Sequence, residues 1–114
     1  MSLSVVESGG NLTLVALAGR LDVAGIDAVQ AEFIQKTAAV KKPAIVDMSQ
    51  VTFMASLGIR MLVEAAKSLK SAGVRLVLLK PQPLVEKSLK ASGLHMVLGV
   101  YHDEAEARKA LLPG

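Results

Sequence analysis

Short β-branched apolar runs alternate along this chain with longer stretches in which apolar residues recur every three or four positions, and that alternation points to an α/β fold. Leu3 to Glu7 and Asn11 to Ala18 are runs of the first kind, and the intervening Ser8-Gly9-Gly10 tolerates positive φ, so the chain is expected to open as a β-hairpin. Asp22 is placed to cap a helix running to about Val40, with Ile26, Val29, Phe33, Thr37 and Val40 on one stripe and Asp27, Gln30 and Lys36 toward water. Lys41-Lys42-Pro43 ends that helix with cations suited to its negative pole. Ala44 to Met48 then reads as a buried strand and Ser49 to Ala55 as a connection.

A second helix is expected from Ser56 or Leu57 to Ala72 and Gly73, with Ile59, Leu62, Val63, Ala66 and Leu69 on its core face and Arg60, Glu64, Lys67 and Lys70 opposite. Val74 to Leu79 reads as a strand broken by Pro81, and Pro83 suits the first turn of a third helix. Gly93 followed by Leu94 has the chemistry of its C-terminal stop. Val97 to Tyr101 is expected as a last strand, and Asp103 as the cap of a short helix through Leu112. Strands that alternate with helices pair in parallel through right-handed crossovers, so the expected architecture is a mixed sheet with antiparallel pairing from the opening hairpin and alternating helices packed on it.

Against a typical domain of about 150 residues, 114 residues allow one domain, 1–114, with a single core. Hydrophobic residues at 52% and charged residues at 20% supply enough apolar surface for it to fold alone. Phe33, Phe53 and Tyr101 are the only aromatics, which leaves no base-stacking platform and argues against direct nucleic-acid binding despite a net charge of +3. The absence of cysteine removes disulfides, thiolate metal sites and thiol nucleophiles, and suits a reducing compartment. No apolar run approaches the about 18 residues of a membrane span. No basic and apolar leader is read at Met1-Ser2-Leu3-Ser4, so a cytoplasmic location is expected.

Catalytic constellations are scarce. His95 and His102 are the only histidines and sit near element ends, so neither a hydrolase triad nor a metal site is expected. No nucleophile elbow, Walker-type loop or dinucleotide fingerprint is present, and no cofactor is implied. Asp47 and Lys80-Pro81 each follow a strand, as in phosphate-accepting receiver domains, but the acidic pair that would hold Mg²⁺ is missing. The segment Asp47 to Leu62 is more informative, because it places Ser56 where a connection leads into a helix and backbone N–H groups point outward. A hydroxyl there can cap the helix, or carry a phosphate whose charge the helix pole favours; on physical grounds alone capping is the commoner role. Gly58 in the first turn suits a close approach by either another backbone or a partner.

The same segment, Asp47-Met48-Ser49 through Phe53-Met54-Ala55-Ser56-Leu57-Gly58-Ile59, resembles the central signature of STAS domains, and above all of single-domain anti-sigma factor antagonists. Leu17-Ala18-Gly19-Arg20-Leu21-Asp22 resembles the family's approach to its first helix, and Pro83, Val85, Leu89 and Ser92-Gly93-Leu94 its third helix and stop. The resemblance implies a protein switch: the unmodified domain binds an anti-sigma factor that is also a serine kinase, and so frees a sigma factor. That kinase phosphorylates the serine aligned with Ser56, and a serine phosphatase reverses the modification. The domain is then substrate and ligand, not enzyme. Asp22, Met54, Ala55, Leu57, Gly58 and Arg60 are expected to gather at the partner face, although Asp22 also reads as a helix cap and Arg60 as a solvated residue. Ala55 departs from the family pattern, which places an acid before the phosphoacceptor, and Leu57 replaces a smaller residue. A constitutive scaffold or soluble transporter subunit is the alternative, since both departures make the segment more apolar. A nucleotide-binding module would lack any phosphate loop.

Overall fold

The alternation becomes a five-stranded sheet, ordered β1-β2-β3-β4-β5, in a computed structural model that describes residues 2–111. Strands β1 (Ser2–Glu7) and β2 (Thr13–Leu21) pair antiparallel across a turn that holds Gly9 at φ 80°. Strands β3 (Ala44–Met54), β4 (Leu76–Leu79) and β5 (Val100–Tyr101) add on in parallel. A parallel sheet must be covered on both faces, and β4 accordingly reads Leu-Val-Leu-Leu with every residue buried.

Side chains of successive strand residues point to opposite faces, and this two-residue period sorts the core. Val15, Leu17, Val46, Met48, Leu76 and Leu78 lie in one cluster with Phe33 of helix α1 (Val23–Lys36), Leu62 of α2 (Ser56–Ser71), Leu89 of α3 (Pro83–Ala91) and Leu98 of α4 (His95–Leu98). Leu14, Ile45, Val77 and Leu79 belong to a second cluster, closed by Ala107 and Leu111 of α5 (Glu104–Leu111). Both glycine-stopped helices end alike. Gly73 (φ 81°) donates to Lys70 O at 2.9 Å while Val74 donates to Leu69 O at 3.0 Å, and Gly93 (φ 74°) and Leu94 repeat the pattern to Lys90 O and Leu89 O.

Several boundaries differ from those expected. Helix α1 stops at Lys36, where the ladder breaks: Thr37 N is shared between Phe33 O (3.0 Å) and Ile34 O (3.3 Å), and Ala39 N closes onto Ile34 O at 3.0 Å; Val40 is left exposed. Strand β3 runs through the expected connection to Met54, since β2 is long enough to keep pairing with it, from Thr13↔Ala44 to Leu21↔Met54. Asp47 therefore lies within the strand, where its Oδ1 accepts from Ser49 N at 2.9 Å beside a register shift. Strand β4 starts at Leu76, as Val74 is part of the preceding helix stop. Residues 95–98 form one helical turn, and Gly99 at φ 74° confines the last strand to Val100–Tyr101. Asp103 does receive Ala105 N at 2.7 Å before α5; Leu112 lies outside the described residues.

Candidate functional site at the start of the second helix

Strands β2 and β3 end side by side at Leu21 and Met54, so α1 and α2 start from the same edge of the sheet. Ala55 N donates to Leu21 O at 2.9 Å and fastens the two helix starts together. Beneath this bond Gly58 is buried: a Cβ there would stand 2.9 Å from Leu21 Cβ and 3.2 Å from Leu21 O. The close approach of β2 to α2 thus accounts for the glycine. Met54 is 7% exposed and also belongs to the core.

The two helix starts are built differently. Asp22 caps α1, accepting Gly25 N on Oδ1 at 2.9 Å, while Arg20 Nε approaches Oδ2 at 3.3 Å. The Gly25 N–H and then the Arg20 guanidinium hold the Asp22 carboxyl below the usual carboxylate range. Arg20 also lies over the exposed Phe53 ring, 4.3 Å from its centroid, so the start of α1 is braced from β3. At α2 the cap position is Ala55, extended at φ −89° and ψ 170°, which makes no side-chain cap bond. Ser56 is the first helical residue rather than the cap, and it is exposed. The first turn of α2 holds no acidic residue, so the positive pole of the helix faces solvent at Ser56 without a compensating charge.

Leu57, 44% exposed, and Arg60, whose Nε donates to Glu64 Oε1 at 3.1 Å, extend the surface from Ser56. With Val23, Ile26, Asp27, Gln30, Met61 and Glu64 they line a shallow groove of about 300 Å³ between α1 and α2, of mixed apolar and charged lining. Of the residues expected at a partner face, Ser56, Leu57 and Arg60 are exposed, Ala55 and Asp22 are half-buried, and Met54 and Gly58 lie inside. Val23 and Gln30 complete the surface although sequence reasoning passed over them. The available signal was Val23, an apolar residue in the first turn of α1 but off its core stripe. His102 Nε2 lies 2.7 Å from Glu86 Oε1, far along the chain from this groove. Among the described residues no cluster of three or more His, Cys, Asp or Glu is arranged to hold a metal ion, and no helix is long and apolar enough to cross a membrane.

A mixed-sheet α/β domain with its first two helix starts gathered at one edge is the class these features define. The family model of the STAS domain matches residues 2–107, and the chain belongs to that family. TM1081 of Thermotoga maritima superposes with a TM-score of 0.82 at 18% identity, over 96% of this chain and 92% of that one. An anti-sigma factor antagonist from Mycobacterium paratuberculosis superposes at 0.80 with 22% identity, over 96% and 94% of the two chains. The anti-sigma factor antagonist SpoIIAA of Bacillus, solved in unphosphorylated and phosphorylated forms, superposes in the former at 0.77 with 21% identity, over 96% and 95%. At these identities the likeness is one of fold. A comparison with curated proteins finds no match.

Proposed function

We propose that this STAS domain is an anti-sigma factor antagonist switched at Ser56. Unmodified, it binds an anti-sigma factor that is also a serine kinase, through the surface made by Ala55, Ser56, Leu57 and Arg60 and the groove that adjoins them. Met54 and Gly58 support that surface from inside, and Asp22 holds the neighbouring helix start. The domain acts as ligand and substrate in the cytoplasm, and the kinase and a serine phosphatase supply the chemistry. In the forward step Ser56 Oγ attacks the γ-phosphorus of ATP, the bond to the bridging oxygen breaks, ADP leaves, and the hydroxyl proton passes to a base on the kinase.

The observation that carries this reading is the exposed Ser56 on the uncompensated positive pole of α2, next to a groove where the exposed Val23 and Leu57 are flanked by Asp27, Arg60 and Glu64. A phosphate adds about −1.5 to −2 charge at neutral pH. The helix pole tolerates that charge in the free domain, whereas a packed partner must desolvate it. Ala55 removes the repulsion that the family's usual acid would exert on the phosphate.

Calorimetric titration of the kinase-type anti-sigma factor from the genomic neighbourhood tests the reading. Ser56→Asp and the phosphorylated domain should bind at least about tenfold more weakly than the unmodified domain, equivalent to about 1.4 kcal/mol. Equal affinity for all forms would contradict the switch and favour a constitutive scaffold.

A further inference from the structure

On α2, Val63 lies three and four residues before Ala66 and Lys67, and Lys70 four and three residues after them, so the four form one stripe along the half of the helix remote from Ser56. This stripe borders an open groove of about 340 Å³ whose other walls are Val74, Arg75, Leu76 and Val97. The floor is apolar and the rim is cationic. Lys67, Lys70 and Arg75 are exposed, and like most cations of this chain they form no ion pair among the described residues. The apolar surface continues past the groove onto α4, where Met96 is 82% exposed and Val97 68% exposed.

Lysines in the last turns of a helix complement its negative pole, which accounts for Lys67 and Lys70 but not for Arg75 or for Met96 and Val97. We infer that this groove is a second protein-docking site, whose occupant is an acidic amphipathic helix of a partner protein. Its apolar side chains would insert between Val63, Ala66 and Val97, and its carboxylates would meet Lys67, Lys70 and Arg75. A helix fits better than a small anionic amphiphile, because the apolar surface extends beyond the groove onto the exposed Met96 and Val97, more than a small ligand seated in about 340 Å³ would cover. Lys67 lies eleven residues beyond Ser56 on α2. At about 1.5 Å per residue that is about 16 Å, so this site can be occupied independently of the Ser56 surface.

The test uses a fluorescent designed helical peptide with leucines on one face and glutamates on the other, together with a twin in which lysines replace the glutamates. Fluorescence anisotropy should show saturable binding of the acidic peptide and none of the basic twin. Binding should weaken about tenfold or more in the exposed-surface variant Lys67→Glu/Lys70→Glu, and again between about 0.05 and 0.5 M salt. Val97→Asp should abolish it, with circular dichroism showing both variants folded. Amide chemical shifts should move around Val63, Val74 and Val97 and not around Ser56. The inference is overturned by absence of binding, by equal binding of the two peptides, or by shifts that map elsewhere. It is equally overturned if the domain self-associates through this face, or if myristate binds there and the acidic peptide does not.

Discussion

Substituting Ala55 by Asp should stabilise the domain, because the backbone already offers a cap site that no side chain uses. Ala55 is extended at φ −89° and ψ 170°, so a side-chain carboxylate can receive the Leu57 N–H with no backbone adjustment, while the Gly58 N–H already donates to Ala55 O at 2.9 Å. A cap of this kind contributes about 1 kcal/mol, to which attraction by the uncompensated helix pole adds a few tenths, about 0.3 or more. At about 2.1 cal/mol/K per residue, 114 residues give an unfolding entropy of about 240 cal/mol/K, so about 1 kcal/mol raises Tm by about 4 °C. The capping bond holds the new carboxyl's folded pKa below its unfolded value of about 3.9, so the gain is full above that pH and lost as pH falls through the folded pKa. Thermal melts of wild type, Ala55→Asp and Ala55→Asn at several pH values measure both effects. The Asn variant should keep most of the gain and show no such pH dependence. An unchanged or lowered Tm for both variants would refute the placement of the helix start at Ser56.

Further outcomes follow from the same region. Gly58→Ala should destabilise the domain by about 1 to 2 kcal/mol in urea unfolding, since the crowding against Leu21 outweighs the helix-propensity gain of about 0.5 to 1 kcal/mol. Asp22→Ala should lower Tm near neutral pH. Because the Asp22 carboxyl is held below its ordinary value, the gap to wild type should persist above about pH 4 and close as pH falls through the folded pKa. A gap independent of pH would remove the carboxylate from the cap.

The hairpin, the order of helices and strands and both glycine stops were legible because each rests on local chemistry: period, positive φ and cap-forming side chains. What was not legible depends on partners far along the chain. Residues 49–53 are mostly polar or exposed, and only pairing with the end of β2 across two register shifts makes them strand. Val97 and Leu98 read as strand by composition, yet they form a helical turn because Leu94 closes α3 and Gly99 takes positive φ immediately after. Thr37 occupies a core-stripe position and is buried, yet it is already the residue that closes α1. At the candidate site, the sequence placed Ser56 at a helix start, while the choice between a backbone and a partner at Gly58 needed its distance to Leu21. The cap vacancy at Ala55 required backbone angles, and the groove required the juxtaposition of α1 and α2.

The switch is tested most directly by incubating the domain with its partner kinase and ATP and locating phosphate by mass spectrometry, in wild type and Ser56→Ala. The account predicts a single phosphate on Ser56, absent from the variant, with release of the bound kinase as it accumulates. Phosphate on another residue, or none on a wild-type domain that binds the kinase, would contradict it.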